Sequence, residues 1–110
     1  MTSENAIKKA ISDYLYAHRV FAWRNNTGAS FGSYKGKQRF FRFGEPGSGD
    51  IFALHRGKFV SIETKAPGKH PTNIQVDFMQ RVRENGGLTM WTDDVDDFID
   101  WWTNQFPIGD

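Results

Sequence analysis

Apolar positions along this chain change period several times, and each change marks an element. Over residues 3–18, Ile7, Ala10, Ile11, Tyr14, Leu15 and His18 recur at i, i+3, i+4, i+7, i+8 and i+11, the stripe of an amphipathic helix, with Thr2 or Ser3 as its cap. Val20–Arg24 alternates as a short strand. NNTGASFGSYKGKQ reads as a loop, and Gln38–Phe43 as a second strand. Ile51–His55 and Lys58–Ile62 are strands on either side of Arg56-Gly57, a link that predicts a tight hairpin. In the second of these, Val60, Ile62 and Thr64 point to the core, while Phe59, Ser61, Glu63 and Lys65 point the other way. Thr72 and Gln75 form a T-x-x-Q capping box. A helix follows with Ile74, Phe78, Met79 and Val82 as its buried stripe and Gly86-Gly87 as its stop. Leu88–Thr92 is a final strand. Asp93 or Asp94 then caps a last helix with Val95, Phe98, Ile99 and Trp102 on one face. The order α, β, β, β, β, α, β, α (αββββαβα) predicts an α/β domain, a mixed β-sheet flanked by helices.

The hairpin also predicts a cluster of charges. With Arg56-Gly57 as the turn, counting outward sets Asp50 opposite Glu63, and Lys65 lies two residues further on the same face. Two opposed carboxylates destabilise a sheet unless something compensates them, and Mg²⁺ or Mn²⁺ suits such a pair of hard oxygen ligands. A cation held there would polarise a phosphodiester and lower the pKa of an attacking water. Lys65 would orient or deprotonate that water, or stabilise the transition-state charge. The plainer alternative is a solvated Asp/Glu–Lys cluster along a hairpin. Gly44-Glu45-Pro46-Gly47-Ser48-Gly49, just before Asp50, lets the backbone approach closely or take positive φ. Glu4 lies one turn back along the first helix stripe. It reads either as an acid favoured by the helix dipole or as a carboxylate projecting toward the site.

Charge distribution adds a partner class. Residues 1–49 carry eight Lys/Arg against three acids, residues 50–92 six against four, and residues 93–110 no Lys/Arg and six Asp. In the first part, Lys35, Lys37, Arg39 and Arg42 are interleaved with Phe31, Tyr34, Phe40, Phe41 and Phe43. That mixture suits phosphate neutralisation and base stacking, and Arg24 and Lys69 extend the DNA-binding set. The length of 110 residues fits one domain, 1–110, and no apolar run is long enough to span a membrane. The absence of cysteine excludes disulfides and thiolate metal sites and fits an intracellular protein. His18, His55 and His70 lack zinc-ligand spacing, and no Walker loop or G-x-S-x-G motif is present.

Gly49-Asp50, Glu63-Thr64-Lys65 and Gln75 on the next helix, taken with Glu4, resemble the PD-(D/E)xK nuclease superfamily. The order is most similar to its small stand-alone VRR-NUC (virus-type replication-repair nuclease) domains of phages and bacteria, over nearly the whole chain. The resemblance implies a restriction-endonuclease-like core and a metal site of Asp50, Glu63 and the Thr64 backbone carbonyl. It also implies Lys65 acting on the nucleophilic water, Gln75 completing the site and Glu4 adding an acid from the first helix. Gly49 departs from the proline that many relatives carry before the aspartate. The implied activity is that of a Holliday-junction resolvase: a homodimer cutting four-way DNA junctions with Mg²⁺ or Mn²⁺ in the cytoplasm of a bacterial or phage-infected cell. A less selective flap, nicked-duplex or single-strand nuclease and a non-catalytic nucleic-acid-binding module are the alternatives. Trp101, Trp102 and Phe106 are the expected interface residues, because the last helix has more apolar surface than one face buries.

Overall fold

The computed structural model describes residues 3–26, 28–34 and 36–108, with the backbone alone over 28–34 and 37–43. Nine elements follow one another: α1 (Glu4–Ala17), β1 (Phe21–Arg24), β2 (Gly28–Tyr34), β3 (Lys37–Phe43), β4 (Ile51–His55), β5 (Lys58–Thr64), α2 (Asn73–Glu84), β6 (Leu88–Thr92) and α3 (Val95–Gln105). β1, β4, β5 and β6 form one mixed sheet in that order, its first two pairings antiparallel and β5–β6 parallel, with α2 as the crossover. The expected mixed α/β sheet flanked by helices is therefore present.

One element was misread. Part of the segment expected to be a loop is β2, which pairs antiparallel with β3 from Gly28↔Phe43 to Tyr34↔Lys37 as a separate two-stranded sheet. Its Gly and Ser residues have little strand preference of their own. Backbone pairing to an adjacent strand overrides that preference, since β propensity depends on context. The order is thus α, β, β, β, β, β, α, β, α.

The core fills one face of the main sheet. Ile7, Ile11 and Leu15 from α1 meet Ile51, Ala53, Val60 and Ile62 from the sheet and Phe98 and Trp102 from α3, all buried. Each fully buried Ile, Leu or Phe stabilises by about 1.5–3 kcal/mol through removal from water. Trp102 and Phe106 are core residues, and Trp101 packs on the core's margin. The expectation that these three form an interface is therefore corrected for Trp102 and Phe106: both rings are buried, packed on each other and on His55 of β4. Exposed apolar surface lies elsewhere, at Phe21, Trp23, Leu54 and Phe59 of the sheet, Tyr16 of α1, Ile74 and Val76 of α2, and Ile108.

α2 covers the opposite face only in part. Phe78 stacks on Phe52 with ring centroids 6.3 Å apart, and Met79 is buried. Ile74, expected in the buried stripe, is 60 % exposed, because in the first turn of α2 its side chain rests against the Gly47 loop and not on the sheet. Among the described residues no helix is long and apolar enough to cross a membrane.

Candidate functional site

The β4–β5 hairpin closes as the sequence predicts. Arg56 and Gly57 take φ values of 50° and 80°, both positive as a tight primed turn requires, and His55 pairs with Lys58. The ladder runs in register to Ile51↔Ile62 and there breaks step. The Asp50 N–H donates to the Ile62 carbonyl at 2.8 Å, so Asp50 and Ile51 both oppose Ile62, the two-against-one count of a β-bulge. Asp50 is therefore not placed squarely opposite Glu63, as simple counting expects. The bulge instead aims its side chain around the strand end, to the Thr64 N–H and hydroxyl, near enough to Glu63 to act on it.

Gly49 makes this approach possible. A Cβ there would strike the Ser61 hydroxyl and lie 2.9 Å from the Ile62 carbonyl oxygen. The segment is tied down from the other side by Asn25. Its side-chain amide donates to Ser48 Oγ (2.6 Å) and the Gly49 carbonyl (2.9 Å), and its backbone N–H donates to the Asp50 carbonyl (2.8 Å). Both ends of the β2–β3 ribbon thus converge on Asp50.

Three donors hold the Asp50 carboxylate. The Thr64 N–H (2.8 Å) and hydroxyl (2.9 Å) donate to Oδ2, and the Lys8 ammonium stands 3.3 Å from Oδ1. Burial pushes Asp50 toward a higher pKa. The Thr64 backbone bond, the hydrogen bonds with Glu63 and the Thr64 hydroxyl, and the Lys8 charge outweigh it and hold the group below its usual range. Glu63, only 4 % exposed, goes the other way. Burial first, then its hydrogen bond to Asp50 and the Asp50 charge, push it up to about 9, with Lys65 opposing and Glu4 adding to the shift. The surroundings thus favour the ionised form of Asp50 and the neutral form of Glu63.

Glu63 also accepts from Gln75. The two ends of that amide do different work: Oε1 takes the Thr72 N–H (2.8 Å) in the capping box, while Nε2 donates to Glu63 Oε1 (3.0 Å). Capping and site contact, which look like alternatives in the sequence, are one arrangement. We expect Gln75→Ala to cost about 1–2 kcal/mol in urea unfolding, through the lost cap and the lost bond to a buried carboxyl. Gln75→Glu should keep the cap but not the bond, so stability equal to wild type in that variant would show that the Glu63 bond contributes nothing.

Glu4 and Lys65 complete the constellation at longer range. Glu4 opens α1 after its Ser3 cap, half-buried, and its charge reaches Glu63. Lys65, half-buried, continues β5 and anchors its backbone N–H on the Thr92 carbonyl at 2.9 Å. Of the predicted residues, Glu63 and Gln75 are in direct contact with Asp50 close by, while Glu4 and Lys65 reach Glu63 through their charges. Two were missed. Lys8 lies beside the buried stripe of α1, four residues after Glu4 and on the same side of the helix, a spacing that could have flagged it. Thr64 reads as a core residue, and only the bulge brings Asp50 to its hydroxyl. Arg24 and Lys69 are exposed, Arg24 pairing with Ile51 one residue from Asp50. Lys35, and the side chains of Lys37, Arg39 and Arg42 with the neighbouring aromatics, lie outside the described residues. Each histidine packs on an aromatic ring: His18 on Tyr14, His55 on Phe106 and His70 on Trp91.

Among the described residues no group of three or more His, Cys, Asp or Glu is arranged to hold a metal ion. Mg²⁺ is commonly bound through one or two carboxylates with several retained waters, so the Asp50–Glu63 pair suffices in number. Its chemistry also fits, for Asp50 and Glu63 offer hard carboxylate oxygens in a shielded position, with Glu63 4 % exposed and Asp50 fixed through Oδ2 by Thr64. Neither a protein-family model nor a curated protein matches this sequence.

Proposed function

We propose that this chain is a Mg²⁺- or Mn²⁺-dependent endonuclease of the PD-(D/E)xK type, related to VRR-NUC domains, with the restriction-endonuclease-like version of its α/β fold. It hydrolyses phosphodiester bonds in branched DNA, four-way junctions above all, as a homodimer. The observation that carries the reading is the shielded Asp50–Glu63 carboxyl pair, with Asp50 held by Thr64 and Lys8 and Glu63 held by Gln75. Perturbed carboxyls with a specific charge partner gather at functional sites, which is the rationale for placing the chemistry here.

Asp50 and Glu63, with the Thr64 backbone carbonyl, would hold the cation. When bound, it polarises the phosphodiester and makes its water more acidic. Gln75 fixes the Glu63 carboxyl, and Thr64 fixes that of Asp50. Lys65 orients the attacking water and takes up charge or its proton. The water oxygen adds to phosphorus as one P–O ester bond breaks, leaving a phosphate on one strand end and a hydroxyl on the other. Glu4 supplies a further acid from α1. Arg24, Lys69 and the basic residues Lys35, Lys37, Arg39 and Arg42 neutralise backbone phosphates.

With Mg²⁺ or Mn²⁺ the protein should place symmetric nicks in a synthetic four-way junction and leave plain duplex intact. EDTA should abolish cutting. Lys65→Ala should lower turnover by about 10²–10⁴-fold, as loss of a proton-handling group does, while leaving junction binding in place. Cleavage that survives EDTA would sink the reading. Equal cutting of junction, flap and duplex would point to the less selective nuclease, and tight binding without any cutting to a binding module.

A further inference from the structure

Lys8 stands where a second cation would have to come. Its ammonium is 3.3 Å from Asp50 Oδ1, the oxygen that Thr64 leaves free, and both side chains are about four-fifths shielded from solvent, at 19 % and 21 % exposure. The pair is not needed to satisfy Oδ2, which already has two donors. Lys8 also differs from its neighbour Lys9, whose ammonium pairs with Asp13 at 2.7 Å on the open surface of the same helix. The Lys8 backbone cannot withdraw, because Ile7 and Ile11 on either side of it are locked in the core. Only the side chain can move. Glu4, one turn earlier and in the favourable acid-before-lysine i,i+4 order, offers a nearby resting place, as would a backbone phosphate of bound DNA.

We infer that Lys8 is a built-in counter-ion that occupies Asp50 until a divalent cation displaces it, and that the displaced ammonium is taken up by a phosphate of the bound strand. The inference rests on the proposed cation site and adds its regulation. A dication and an ammonium cannot share one carboxylate oxygen without strong repulsion at this separation. Loading of the cation therefore costs the Lys8–Asp50 pair when DNA is absent. When a phosphate receives the ammonium, that cost is offset. Cation and DNA then bind with positive coupling, which is reciprocal by linkage: each raises the affinity for the other by the same factor. Free protein stays largely unloaded, and the hydrolytic centre assembles only on substrate. Lys8 acts here through Asp50 and is a positioning residue.

The test is Mn²⁺ titration by calorimetry on the full chain, with and without a non-cleavable phosphorothioate junction, for wild type, Lys8→Met and Lys8→Arg. In wild type, DNA should tighten Mn²⁺ binding about tenfold or more. Lys8→Met should bind Mn²⁺ at least about fivefold more tightly than wild type without DNA, and should lose most of the DNA dependence, despite adding no ligand. Lys8→Arg, which keeps the charge, should retain weak DNA-free binding and the coupling. Unchanged or weaker DNA-free affinity in Lys8→Met, beside a wild type that binds Mn²⁺, would overturn the inference alone. Absence of Mn²⁺ binding in all three proteins would overturn both the inference and the nuclease reading. Should Lys8→Met fail to fold, Lys8→Gln carries the same expectations.

Discussion

Glu63→Gln should eliminate Mg²⁺-dependent cleavage and at the same time make the protein more stable than wild type at pH 8. The first effect follows from the loss of one of two carboxylates, and we expect a fall of about 10³-fold or more, equivalent to roughly 4 kcal/mol of transition-state stabilisation. The second follows from the proton on Glu63. Its pKa in the folded protein is raised to about 9 from an ordinary 4.5, so between those values the folded state holds a proton that the unfolded chain has released. Stability then falls as pH rises through that window, by at most about 1.4 kcal/mol per pH unit, with the contribution complete below the unfolded pKa and lost by the folded one. Asp50, whose pKa is lowered, has the opposite sign, but its contribution disappears only in acid, below its ordinary 3.8. From pH 5 to 9 Glu63 therefore sets the slope at this site. A neutral glutamine can keep donor and acceptor contacts with Asp50 and Gln75 without ionising. Urea unfolding at half-unit pH steps should show a declining wild-type curve and a flatter Glu63→Gln curve that crosses above it in alkali. Parallel curves would mean that Glu63 ionises normally and that the pair shares no proton.

Gly49→Ala should be nearly as damaging, although it adds one methyl group outside the proposed chemistry. Glycine is required here for space, because its missing Cβ makes room for the Ser61 hydroxyl and the Ile62 carbonyl oxygen. The methyl would push the chain off β5 where the bulge aims Asp50. Overpacking of this kind costs about 1–3 kcal/mol. Displacing Asp50 by a fraction of an ångström to one ångström should lower cleavage about 10²-fold, since positioned groups are that sensitive. Ser61→Gly removes one of the two obstacles and leaves the backbone one. The double variant should thus be less destabilised than the sum of the singles, by about 0.5–1 kcal/mol in a cycle of unfolding free energies. Additive losses would show that the serine is not what the methyl meets. The steric pairing also accounts for glycine at the position where proline would resemble the VRR-NUC pattern: proline carries a Cβ as well.

Much of the molecule was legible in the chain. Period-3.6 stripes specified α1 and α3 down to Ile7, Ile11, Leu15, Phe98 and Trp102, because burying one face of a helix is a local, periodic demand. The Arg56-Gly57 turn determined the register of β4 and β5, since a two-residue link leaves no slack. The T-x-x-Q box placed the start of α2 correctly for the same local reason. Strand β2 was not legible. Its residues have weak strand preference, and pairing to β3 is a property of two segments. Nor was the outward turn of Ile74 or the inward turn of Phe106, which depend on what lies across from them.

The site divides along the same line. Asp50, Glu63 and Lys65 were brought to one end of a hairpin by counting residues, and that much the chain determined alone. Only the tertiary structure decided how they meet. The β-bulge at Asp50 replaces the simple opposition, α1 delivers Lys8 to one carboxylate, and α2 delivers the Gln75 amide to the other. Register within a hairpin is fixed over a few bonds, whereas the protonation of Glu63 depends on every element that buries it, and no local pattern encodes that sum.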